Sequence, residues 1–98
     1  MSDQIDDREK MSRLCESFPT LGNGLVYGVR PFEPIGLQAS AKGLSSGTQH
    51  AIRFLLQVWN ADYPMGRLGH FNVAAAIRTW DPKHRQAFMD WVRNPFFP

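Results

Sequence analysis

Three histidines and one cysteine are the side chains in this sequence best able to bind a soft metal or attack an electrophile: His50, His70, His84 and Cys15. Zinc sites and the H-E-x-x-H helix need such ligands at close, paired spacings, and these four residues stand 20, 14 and 35 positions apart along the chain. No metal or cofactor is implied. Cys15 falls on an apolar stripe inside an acidic segment, whereas a nucleophilic thiolate needs an electropositive neighbourhood and a base, so a buried structural cysteine is expected. Ser45 and Ser46 lack a G-x-S-x-G context, and Gly22, Gly24 and Gly28 miss the dinucleotide spacing, with no phosphate-loop lysine following. Asp81 and His84, three residues apart, can share a local hydrogen bond, a spacing that helix capping explains as well as catalysis does. The residues therefore point away from enzyme chemistry.

Binding is left, and two partner classes compete for the same sequence. Arg78, Lys83, Arg85 and Arg93 lie on two consecutive short helices and offer phosphate contacts for a nucleic acid. About eleven residues separate the preceding helix from this pair, too many for a helix-turn-helix, whose turn takes about 3 to 4. The other set is Trp59, Tyr63, Arg67 and Phe71 with Phe96 and Phe97, the aromatic and arginine types that anchor protein interfaces. Phe96-Phe97-Pro98 is too apolar for a solvated segment and is expected to pack on the body or against another protein. A protein partner is preferred and a nucleic acid is the alternative.

The elements that must position these residues read as mainly α, a small bundle of about four helices with one short β piece. The 98 residues allow one core and hence one domain, 1–98, with 46–98 as its compact helical unit. A first helix is expected over about 3–16, capped by Asp3, with Met11, Leu14, Cys15 and Phe18 as its buried stripe. Leu25–Val29 reads as a short extended piece, and the prolines and glycines of 31–47 as a long loop. Ser46-Gly47-Thr48-Gln49 matches a capping box, opening a helix whose core stripe is Ile52, Leu55, Leu56 and Trp59 and which Tyr63-Pro64 closes. Asn72 can cap a helix over Val73–Thr79. Asp81-Pro82 starts the last helix, with His84, Ala87, Phe88, Trp91 and Val92 facing inward.

Composition narrows the setting. A hydrophobic fraction of 43% is enough for a core without a metal or disulfide staple. The start, Met1-Ser2-Asp3-Gln4, lacks the cations and apolar run of a secretory signal, and a single cysteine suits a reducing compartment, so the cytoplasm is expected. Ile52–Trp59 and Val73–Ile77 are far shorter than the roughly 20 apolar residues of a membrane span. Residues 1–18 carry five acids and three bases, and residues 19–98 eight bases and four acids. That mild basicity is dispersed, unlike the clustered charge of most phosphate binders.

From Ser45-Ser46-Gly47 through Phe54, Val58-Trp59-Asn60, Gly66-Arg67, Phe71, Trp80-Asp81, His84-Arg85, Ala87-Phe88, Trp91 and Pro95–Pro98, the C-terminal half resembles a group of small bacterial proteins without an assigned activity, some carried by plasmids or phages. The resemblance implies a bacterial or mobile-element origin. By analogy it implies a modulator or inhibitor of a host complex, and it assigns no catalytic residue.

Overall fold

The computed structural model describes residues 6–98, and helices are the only regular elements among them. They are α1 (Asp7–Glu16), α2 (Pro34–Ser40), α3 (Ser46–Trp59), α4 (Val73–Thr79) and α5 (Pro82–Arg93), with one 3-10 turn, Gly66–Leu68, between α3 and α4. The mainly α reading holds, with five helices where about four were expected. Asp3 lies outside the described residues. Asp6 caps α1, its carboxylate accepting from the Glu9 N–H at 2.8 Å.

Two local readings are corrected. Residues 25–29 form turns instead of a β piece: Leu25 and Tyr27 are exposed while Val29 is buried. Apolar and β-branched residues favour strands because they pack on a neighbouring strand, and among the described residues there is none. Gly24 and Gly28 adopt positive φ instead, at 78° and 94°, and turn the chain. Residues 31–47 are not one loop either, because they contain α2. Pro34 sits at the first helical position, where a missing N–H costs nothing, and Leu37 is buried beneath the helix. So short a helix is marginal alone, and its packing against α3 supplies what its sequence lacks. The Arg30–Pro31 peptide that leads into it is cis.

The start of α3 is displaced by one residue from the expected capping box. Ser45 is the cap, its hydroxyl accepting from the Thr48 N–H, and Gln49 donates to the carbonyls of Ala41 and Leu44 instead of reaching back to the cap. The expected caps of α4 and α5 are present: Asn72 accepts from Ala75 N–H at 3.0 Å and Asp81 from His84 N–H at 2.8 Å.

Helix α3 is the centre of the packing and contacts α1, α2 and α4. Its residues Ala51, Ile52, Phe54, Leu55, Leu56 and Val58 are buried, each large apolar side chain contributing about 1.5–3 kcal/mol. Phe54 meets Phe18, Phe71, Phe88 and Trp91 at centroid distances of 5.2–5.9 Å, and Trp80 closes the cluster against Phe18, Phe71 and Phe88. Trp80 also donates its indole N–H to Gly47 O at 2.8 Å, tying α4 to the start of α3. Trp59 is only half-buried at the end of its stripe. Val92, expected inside, is 42% exposed, because it lies about 100° around α5 from Trp91.

Candidate functional site

Of the aromatic and arginine residues expected as interface anchors, Trp59 and Phe97 line one surface pocket. Trp59 packs its ring on Phe32 at 5.2 Å and under the Arg8 guanidinium at 5.4 Å, so it joins α1 and the 17–33 connection to the body. Phe71 belongs to the aromatic cluster, with its backbone N–H held by the Gln57 side chain at 2.6 Å. Tyr63 is half-buried, and burial pushes its phenol above its usual range. Arg67 stands exposed on the 3-10 turn. Phe96 packs against the core, whereas Phe97 is 73% exposed and meets the Trp91 ring edge-on at 5.5 Å. Trp91 Nε1 is buried with no hydrogen-bond partner among the described residues.

Arg78, Lys83, Arg85 and Arg93 are all exposed. The three on α5 spread over about 160° of its circumference at about 100° per residue, with Asp90 among them. Arg85 donates to Trp80 O at 3.0 Å, and Arg93 lies 3.8 Å from the Asp90 carboxylate.

The expected Asp81–His84 contact exists and extends further than the sequence indicates. Asp81 Oδ1 lies 2.9 Å from His84 Nδ1, His84 Nε2 3.0 Å from Thr20 Oγ1, and Thr48 donates to Thr20 at 2.8 Å while sharing a 2.9 Å bond with Ser45. Thr48 spends its proton on Thr20, so Ser45 donates to Thr48, and the two ring nitrogens of His84 link Thr20 to Asp81. The bonds from His84 hold the Asp81 carboxyl below its usual range. His84 is buried against the Phe18 ring at 6.0 Å, and Thr20 and Thr48 offered no sequence signal for their role. An Asp–His–hydroxyl order resembles that of hydrolases, but here it ties the 17–33 connection to the starts of α3 and α5. Burial pushes the Cys15 thiol up to about 12, with the Glu16 carboxylate adding to the effect, which leaves it unreactive. Among the described residues no three His, Cys, Asp or Glu side chains gather.

The least expected surface lies between α1 and α2. Residues 17–33 form a 17-residue connection without a regular element, yet it is pinned along its length. Ser12 donates to Val29 O at 2.7 Å from inside the core, Arg8 donates to Phe32 O, and Ser40 donates to Tyr27 O at 3.1 Å. Arg30 bridges Glu9 and Glu16 of α1 at 2.6 and 2.9 Å, and its guanidinium lowers the Glu9 carboxyl to about 2. A Cβ on Gly28 would stand 2.8 Å from Glu33 O and from the Leu37 Cα, so only glycine fits. The Tyr27 ring lies directly over Gly36, and its hydroxyl reaches Glu33 at 3.2 Å. Held this way, the connection displays Leu25, Tyr27 and, just past its end, Ile35 at 84%, 67% and 79% exposure.

No protein-family model matches the chain, and neither a curated protein nor a solved structure matches it. No helix of the described residues is long and apolar enough to cross a membrane.

Proposed function

We propose that this chain is a protein-binding module whose contact surface is the ordered connection around Leu25, Tyr27 and Ile35. The observation that carries the reading is an apolar display on a rigid support. Large apolar side chains left in water are a cost unless something covers them, and long connections that stay ordered in small domains usually carry function. Preorganisation matters because a loop already fixed in its bound form loses little entropy on binding. Tyr27 supplies an amphipathic ring of the kind that anchors interfaces. Phe97, exposed beside Trp91, is a secondary contact. A mobile-element-encoded modulator of a host complex is the biological setting proposed with it, resting on the resemblance of the C-terminal half.

The test is affinity capture from bacterial lysate with the wild-type chain and a Leu25→Ser/Tyr27→Ser variant, with and without nuclease and at raised salt. A stoichiometric protein should be captured through both treatments and lost with the variant, which must first be shown by thermal melting to be folded, because the Tyr27 ring also packs over Gly36 and its hydroxyl reaches Glu33. Capture that is equal for both chains would overturn the loop as the contact surface. Capture abolished by nuclease would transfer the binding role to nucleic acid and to Arg78, Lys83, Arg85 and Arg93.

A further inference from the structure

A second surface opens on the other side of α2, a groove of about 600 Å³ lined by Gln38, Ala39, Ala41, Lys42, Gln49, Arg53, Met65, Arg67 and Leu68. Its walls come from α2, the first half of α3 and the 3-10 turn, and side-chain-to-backbone bonds cross-tie them. Gln38 donates to the carbonyls of Pro64 and Met65 at 3.0 and 2.9 Å, Gln49 to those of Ala41 and Leu44 at 3.0 and 3.2 Å, and Arg53 Nε to Leu68 O at 2.8 Å. The Arg53 guanidinium is further oriented by His50 Nδ1 at 3.1 Å, and burial together with the Arg53 charge lowers the His50 pKa, which keeps this imidazole an acceptor. Those two contacts use two of its five N–H donors.

Three cations and no carboxylate line the groove, while Ala39, Ala41, Met65 and Leu68 give it an apolar component. We infer that this groove binds an acidic peptide segment of a partner protein, its carboxylates on Lys42, Arg53 and Arg67 and its apolar side chains on Ala39 and Leu68. Guanidinium groups match carboxylates with paired hydrogen bonds, and a preoriented Arg53 loses little freedom in making them. A nucleic-acid strand fits less well, since no aromatic ring lines the groove for bases to stack on and its floor is apolar. The inference goes beyond the loop reading and stands without it.

The test is fluorescence anisotropy with a labelled peptide of alternating Glu and Leu, its Gln/Leu counterpart, and a single-stranded oligonucleotide. The proteins are the wild-type chain, a Lys42→Glu/Arg67→Glu variant and the Leu25→Ser/Tyr27→Ser loop variant, each first shown by thermal melting to be folded. The expected result is that the Glu peptide binds wild type and the loop variant alike, with the Gln counterpart and the charge-reversed protein each weaker by at least about tenfold. Equal binding of the two peptides, or equal binding by the charge-reversed protein, would overturn the inference. So would tighter binding of the oligonucleotide. Loss of binding in the loop variant alone would show that the peptide sits on the loop, which overturns the groove while leaving the loop reading standing.

Discussion

Two ends of this molecule are held by different physics. At one end, Phe18, Phe54, Phe71, Trp80, Phe88 and Trp91 interlock through edge-on and tilted rings, and the stabilisation comes from buried area and dispersion. At the other, residues 25–33 add directed bonds to the burial of Val29 and Phe32: a buried serine on Val29 O, a guanidinium between two glutamates, and a glycine that admits no side chain. The first arrangement spreads its stabilisation over many contacts, whereas the second has a few contacts that each define a backbone position. Apolar residues end up inside at the aromatic end, whereas the connection buries Phe18, Leu21, Val29 and Phe32 and puts Leu25 and Tyr27 on display. Directional anchoring is what lets a segment keep its shape while leaving Leu25 and Tyr27 uncovered.

Substitutions at each end can break this contrast. Trp80→Ala should be the most damaging, at about 3–5 kcal/mol of unfolding free energy by chemical denaturation, because it removes a fully buried indole packed on Phe18, Phe71 and Phe88. Trp80→Phe would sharpen the result: the ring is largely kept but Gly47 O loses its donor, for about 1–3 kcal/mol. Next comes Gly28→Ala, which forces a Cβ into backbone at a φ of 94° and should cost about 2–3 kcal/mol. A Gly28→Ala protein as stable as wild type would show that the connection is not held by its backbone contacts.

Smaller effects distinguish the two ends further. Asn72→Ala removes the cap of α4 and should cost about 1 kcal/mol, read from the same denaturation curves. At the connection, the depressed Glu9 carboxyl makes stability depend on pH. A carboxylate whose folded pKa lies below its unfolded value contributes fully above the unfolded value and loses that contribution as pH falls through the folded one. Between about pH 4.5 and about pH 2 the wild-type melting temperature should therefore fall more steeply than that of Arg30→Ala, which lacks the guanidinium responsible. Parallel curves would remove the Glu9–Arg30–Glu16 bridge from the account of what holds the connection.

The sequence alone was enough to predict the helices whose signals are local. The Asn72 and Asp81 caps, Pro82 at a first helical position, the Ile52–Leu55–Leu56 stripe and the buried Cys15 follow from hydrogen-bonding groups and periodicity within one or two turns. What surrounds them depended on contacts between residues far apart in the chain. Leu25–Val29 carries β-type residues, but a strand requires a partner that the fold does not provide. Pro34 and Gly36 look like breakers until α3 covers Leu37 and the Tyr27 ring occupies the space over the glycine. Thr20, Thr48 and His84 meet across separations of 28 and 64 positions, and Lys42, Arg53 and Arg67 line one groove from three separate segments of the chain. Local chemistry determined where helices start and which face they bury; only the packed structure decided which exposed residues stand together, because a surface is assembled from elements whose relative positions no short-range signal encodes.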